Sequence, residues 1–248
     1  MGVKMTQNAY IVFGEKGARE AAAHQAITVV IDALRASATT ATALAIGAQA
    51  VITVGSLEEA RALAQRHGYL VAGERNAVKP DDFDFGNSPS ELYRQRARVV
   101  GRTLVLTTTN GTRIVQAART GATMLFMGTT LNAGAVARAT FKAAEQTQRP
   151  IYLVAAGEDE EHAEEDYVGA RAIARHLYQL GVAVPEENLS QEHATSIFLR
   201  TPSATHLFNL GYGEDVYFCA SLDVFDVAPV LQEDRFVPFR HHSLQKSA

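Results

Sequence analysis

The chain of 248 residues is predicted to fold as an α/β protein, and three observations carry that prediction. Seven short apolar runs rich in β-branched residues recur along it, most of them separated by stretches of helical spacing. Several of those stretches carry their own start and stop residues. Apolar residues make up 47% of the chain, an ordinary value for a folded protein, so disorder is set aside. No repeat, low-complexity segment or linker divides it, and residues 1–248 read as a single domain.

The apolar runs are 10–13 (YIVF), 27–31 (ITVVI), 50–54 (AVITV), 69–72 (YLVA), 103–106 (TLVL), 123–127 (TMLFM) and 150–155 (PIYLVA). AVITV and TMLFM look like edge strands. Ser56 followed by Glu59 forms a capping box for a helix running to His67, with Gly68 as its stop. Ser88-Pro89-Ser90-Glu91 repeats the device with proline at the first helical position. Further helices are predicted over 38–46, 111–119, 131–147 and 164–180. Residues 185–211 add more helix with a turn at Thr201-Pro202, so the chain is helix-rich from about 185. The stretch 212–231 fits a strand or a short helix equally, and the tail from Arg235 reads as irregular.

Composition excludes several classes. A net charge of -4 and a pI near 6.1 lack the basic footprint of a nucleic-acid binder. Met1 to Phe13 lacks the pattern of a signal peptide. No apolar run approaches the roughly 18 residues of a membrane span. The single Cys219 cannot form an internal disulfide, which fits a reducing compartment, and the cytoplasm is the expected location. Its apolar neighbours mark it as a packing residue.

Ligands of open parallel sheets bind beyond the carboxyl ends of the strands, so the residues after each run are informative. ITVVI leads into Asp32-Ala33-Leu34-Arg35, and YLVA into Gly73-Glu74-Arg75-Asn76. TLVL leads into Thr107, Thr108 and Thr109, then Asn110-Gly111-Thr112-Arg113; PIYLVA leads into Gly157 and an acidic stretch through Asp166. Each has a plain explanation alone, since aspartates cap turns and acidic loops are solvated. Four such ends in one fold point to a site. The aperiodic stretch from Gly73 to Pro89 strengthens it, because ordered loops of that length in compact domains are usually functional. Helices opening at Ser88 and Gly111 also offer N-terminal N–H groups suited to anions.

Asp32, Glu74, Asp84, Glu161 and Asp166 are hard oxygen donors, which suit Mg²⁺. Arg35, Arg75 and Arg113 can grip anionic oxygens in bidentate fashion. Carboxylates for a metal beside arginines for an anion describe phosphoryl transfer or phosphate-ester hydrolysis. The chain carries no P-loop, no dinucleotide fingerprint, no G-x-S-x-G elbow and no H-E-x-x-H. Asp32-Ala33-Leu34-Arg35 also lacks the second aspartate of haloacid-dehalogenase-type phosphatases.

Val30-Ile31-Asp32-Ala33-Leu34-Arg35-Ala36-Ser37, Gly73-Glu74-Arg75, Phe83-Asp84-Phe85-Gly86-Asn87-Ser88-Pro89 and Thr107-Thr108-Thr109-Asn110-Gly111-Thr112-Arg113 resemble, in order and spacing, the 2-phosphosulfolactate phosphatase (ComB) family. The resemblance runs from about residue 10 to about 231 and includes Gly213-Glu214-Asp215-Val216-Tyr217-Phe218-Cys219. It implies a three-layer α/β/α fold with a mostly parallel or mixed central sheet, assembled as a homo-oligomer, here expected to be a dimer. It also implies Mg²⁺-dependent hydrolysis of 2-phospho-3-sulfolactate to sulfolactate and phosphate, a step in coenzyme M synthesis. Two departures stand out: Ala77 replaces a glycine common in the family, and Glu160-Glu161-His162 replaces Gly-Glu-Phe.

On this reading Asp32, Glu74 and Glu161 or Asp166 hold Mg²⁺, and Arg35, Arg75 and Arg113 neutralise the substrate's anionic groups. Thr108, Thr109, Asn110 and Gly111 cradle the phosphate, while Asn87 and Ser88 orient one end of the substrate. Either a metal-polarised water attacks phosphorus with Asp84 as general base, or Asp32 attacks through a phospho-aspartate. A phosphatase for another small phosphorylated carboxylic acid and a non-catalytic anion-binding module remain as alternatives.

Overall fold

All seven apolar runs become strands in the structure, a computed structural model that describes residues 7–109, 111–157 and 162–240. They are β1 Ala9–Phe13, β2 Ile27–Ile31, β3 Ala50–Val54, β4 Leu70–Gly73, β5 Thr103–Thr107, β6 Met124–Met127 and β7 Ile151–Ala155. Two more, β8 Pro229–Gln232 and β9 Arg235–Pro238, form a hairpin. The tail from Arg235 is therefore not irregular through Pro238. Four-residue runs flanked by proline carry almost no strand signal of their own, and pairing with neighbours makes them strands.

The strand order is β1-β7-β2-β6-β8-β9-β3-β5-β4. β1, β7, β2 and β6 pair in parallel, as do β3, β5 and β4. The hairpin joins the two blocks antiparallel on both sides, through Phe126–Val230 and Val51–Phe236. β3 and β6 are thus interior strands, not edges; the edges are β1 and β4. The two blocks run in opposite senses by pairing. Residues that follow strands of both blocks nevertheless line one cavity.

The helices are α1 Gly14–Ala23, α2 Ala36–Ala45, α3 Leu57–His67, α4 Pro89–Arg94, α5 Gly111–Arg119, α6 Ala133–Thr147, α7 Glu164–Gln179, α8 Gln191–Phe198, α9 Pro202–Asn209 and α10 Gly213–Cys219. Both serine caps form as the spacing predicts: Ser56 accepts the Glu59 N–H and Ser88 that of Glu91. Gly68 closes α3 in the left-handed conformation. The sequence reading omits α1, an alanine-rich helix entered directly from β1.

Helices flank the sheet in an α/β/α arrangement. Every residue of β2 is buried, as expected of a strand covered on both faces. Ile27, Val29 and Ile31 pack with residues of α6 and α7, while Val30 packs with those of α1 and α5. This is the period-two alternation of a strand dividing two apolar layers. Phe236 on β9 is fully buried and anchors the hairpin, so its truncation to alanine is worth about 3–5 kcal/mol. Cys219 is buried, in keeping with packing. Among the described residues no helix is long and apolar enough to cross a membrane.

Candidate active site

Residues following four strands line one cavity of about 490 Å³. Asp32 follows β2, and its Oδ1 accepts the Ala36 N–H at 2.9 Å. Asp166 lies in the first turn of α7, where its Oδ1 accepts the Ala33 N–H at 2.7 Å and its Oδ2 that of Gly157 at 2.9 Å. It therefore ties the end of β2 to that of β7. Glu74 does the same for β4 and β5: Oε1 accepts the Thr109 N–H and Oε2 the Ala77 N–H, each at 2.7 Å. Glu165 is the fourth carboxylate of the wall, and all four are buried.

Two glycines permit this closeness. A Cβ on Gly73 would stand 2.3 Å from the Thr107 carbonyl oxygen, so only glycine lets β4 end against β5. A Cβ on Gly111 would stand 2.6 Å from Asp32 Oδ2. The N-terminus of α5 reaches Asp32 for that reason.

Two of these carboxyls, Asp32 and Asp166, hold their protons more tightly than usual. Burial pushes Asp32 from 3.8 up to about 6, opposed by its bond from Ala36 and reinforced by Glu74 and Glu165. Burial, then the charges of Asp32 and Glu165, push Asp166 well above the usual range. Among the described residues no three His, Cys, Asp or Glu side chains form a ready-made cation site. Mg²⁺ needs fewer, since it commonly takes one or two carboxylates and completes its shell with water and substrate oxygens. Buried, mutually repelling oxygen donors fit such an ion chemically.

The other wall carries hydrogen-bond donors. Arg35 lines the cavity, with its NH1 nitrogen 2.8 Å from Asp215 Oδ2 and its guanidinium over the Tyr212 ring. Asn87 Oδ1 accepts the Thr39 hydroxyl at 2.6 Å, and the amide's N–H₂ bonds no other described residue. Thr108 is 3% exposed, and its hydroxyl has no hydrogen-bond partner among the described residues. Pro202, Ser203, His206 and Leu207 of α9 close the cavity. Nothing in the sequence around His206 signals its place at the cavity.

Of the residues expected at the site, Asp32, Arg35, Glu74, Asn87, Thr108, Thr109 and Asp166 line the cavity. Others do not. The guanidinium of Arg75 bonds the Glu74 and Gly55 carbonyls and the Thr107 hydroxyl. Arg113 is exposed on α5. Asp84 is turned onto β4, where it accepts the Val71 N–H at 2.9 Å, with Arg98 3.6 Å away; a general base there lies off the cavity wall. Ser88 caps α4 and donates to Asp215 at 2.9 Å. The anion expected at the start of α4 is thus the protein's own Asp215, which also accepts the Ser90 N–H. Gly111 adjoins Asp32 without lining the cavity. Asn110 and Glu161 lie outside the described residues.

Residues 5–234 match the model of the 2-phosphosulpholactate phosphatase family. The chain belongs to that family. It is 37% identical over 215 residues to a probable 2-phosphosulfolactate phosphatase of Thermotoga petrophila, spanning 84% of this chain and 90% of the relative. It is 36% identical over 220 residues to the protein of that name from Caldanaerobacter subterraneus, spanning 82% and 87%. To its namesake in Carboxydothermus hydrogenoformans it is 37% identical over 219 residues, spanning 84% and 88%. The family match covers strands β1 to β8 and every described residue of the cavity wall.

Proposed function

We propose that the chain is a phosphoric monoester hydrolase that cleaves 2-phospho-3-sulfolactate into sulfolactate and phosphate, with Mg²⁺ as cofactor. The observation that carries this reading is the charge of the cavity wall. Asp32, Glu74, Glu165 and Asp166 stand there against Arg35, whose charge Asp215 already offsets. A substrate bearing phosphate, sulfonate and carboxylate is repelled by such a wall unless a cation intervenes. Asp32, Glu74 and Asp166 are the residues that would hold Mg²⁺. The ion, when bound, neutralises phosphate charge and polarises an attacking water.

The chain's own residues do the rest. The Thr108 hydroxyl donates to a phosphate oxygen, and Asn87, held by Thr39, presents its N–H₂ to another anionic group. The remaining N–H groups of Arg35 hold a third oxygen in fixed orientation. Direct attack by Asp32 is the rival to water attack. Trapping with hydroxylamine separates them, since only the phospho-aspartate route leaves an adduct. We assign the reaction to coenzyme M synthesis in the cytoplasm, carried out by a homodimer.

The test is phosphate release from phosphosulfolactate, phospholactate and phosphoglycolate, with Mg²⁺ and with chelator. Release is expected to require Mg²⁺ and to be fastest from phosphosulfolactate. Faster release from another acid supports a different small phosphorylated carboxylic acid as substrate. That reading has one observation in its favour: Ala77, at the cavity wall, stands where the family commonly has glycine. Absence of release from all three sinks the hydrolase reading in favour of an anion-binding module.

A further inference from the structure

We propose that Asp215 is a positioning residue that fixes the Arg35 guanidinium and the Asn87 loop as one unit at the cavity wall. The proposal rests on the hydrolase reading above and extends it to a residue that does not itself line the cavity.

Asp215 lies on α10 and is 1% exposed; Arg35, at the start of α2, is 3% exposed. Asp215 Oδ2 takes the 2.8 Å ion pair with Arg35. Its Oδ1 accepts three donors: the Ser88 hydroxyl at 2.9 Å, the Ser90 hydroxyl at 2.6 Å and the Ser90 N–H at 3.0 Å. One carboxylate therefore joins the arginine to the turn that follows Asn87. Tyr212, also near the start of α10, covers the guanidinium 4.7 Å from its ring centre. A second nitrogen of Arg35 lies 3.4 Å from the Ala77 carbonyl. The planar group is thus held by one charge, one ring and one carbonyl, with the rest of its N–H donors left for an anion.

A buried ion pair is a weak source of stability, because desolvating both charges offsets most of their attraction. An aspartate with four donors in a shell this complete is suited instead to specifying geometry. Without it, a charged arginine beside four carboxylates would swing toward them and leave the substrate's side of the cavity. Asp215 prevents that by holding one edge of the guanidinium at 2.8 Å.

A double-mutant cycle tests this in the full chain with Mg²⁺. Arg35→Lys, Asp215→Asn and the double mutant are compared for phosphate release from phosphosulfolactate and for binding of inorganic phosphate by calorimetry. Asp215→Asn keeps an acceptor oxygen for the serines but loses the charge. It is expected to raise KM and weaken phosphate binding about 10-fold or more, the scale of a charge-assisted hydrogen bond, with a smaller fall in kcat. In the Arg35→Lys background it should add little, because the two residues act together. Asp215→Glu should recover part of the lost affinity.

A purely structural Asp215 would lower the melting temperature and the active fraction, leave KM and phosphate affinity unchanged, and add its effect fully to that of Arg35→Lys. That outcome overturns the proposal. Should Asp215→Asn not fold, Ser90→Ala removes the shortest of the three donors and leaves the ion pair. A several-fold rise in KM supports the proposal there, and unchanged KM overturns it. Wild-type protein that binds phosphate but releases none from any ester sinks the hydrolase reading while the cycle still reads phosphate affinity.

Discussion

Glu74 Oε1 accepts the backbone N–H of Thr109 at 2.7 Å, so one side chain joins the loop after β4 to the loop after β5. Its Oε2 accepts the Ala77 N–H at the same distance. Glu74→Gln offers a single acceptor oxygen where two backbone donors wait. One buried N–H is then unpaired, and a stability loss of about 1–3 kcal/mol is expected in denaturant unfolding. An unchanged midpoint would show that the carboxylate is not what holds the two loops.

Asp32→Asn is expected to lower phosphate release, assayed with Mg²⁺ present, by at least about 100-fold, the scale of losing one key electrostatic contact. Stability near neutral pH should hold or rise, since the amide removes a buried charge that its neighbours oppose. Near-normal turnover would exclude Asp32 from the chemistry.

The same aspartate sets a pH dependence. Its ordinary value is 3.8 and its folded value about 6, so between them the folded chain binds more protons than the unfolded one. Its contribution to stability therefore falls as pH rises from about 4 to about 6. Denaturation of the metal-free chain at several pH values, compared with Asp32→Asn, isolates that slope. Identical profiles for the two proteins would refute it.

Thr108→Val replaces a buried hydroxyl that bonds no described residue with a methyl of similar size. Stability should change by less than about 1 kcal/mol, whereas activity should fall about 10-fold if the hydroxyl serves a phosphate oxygen. Lost stability with intact activity would assign the hydroxyl to the fold instead.

Ala77 has φ 64, a left-handed conformation that costs a non-glycine residue about 1–2 kcal/mol. Ala77→Gly should raise the midpoint of thermal unfolding, because relief of that strain exceeds the added flexibility of the unfolded chain. A lowered midpoint would mean that the methyl makes contacts worth more than the strain.

The sequence was most legible where one short segment carries its own physics. ITVVI is buried along its whole length and becomes a central strand. Ser56 and Ser88 sit at the start of their helices because each hydroxyl answers an N–H three residues on. Arg75 and Arg113 were less legible: residue type and motif position do not tell which way a side chain turns. Both went to neighbours or solvent rather than to the cavity.

The sequence by itself determined the seven apolar strands, the capped helices and the family, all properties of local pattern and motif order. Only the tertiary structure decided that Pro229–Gln232 and Arg235–Pro238 sit at the centre of the sheet, since pairing partners supply what those runs lack. It likewise decided that Arg35 faces Asp215, 180 residues away along the chain. A buried charge finds its partner through the packing of α10 against α4 and the end of β2, and no spacing within a segment records that.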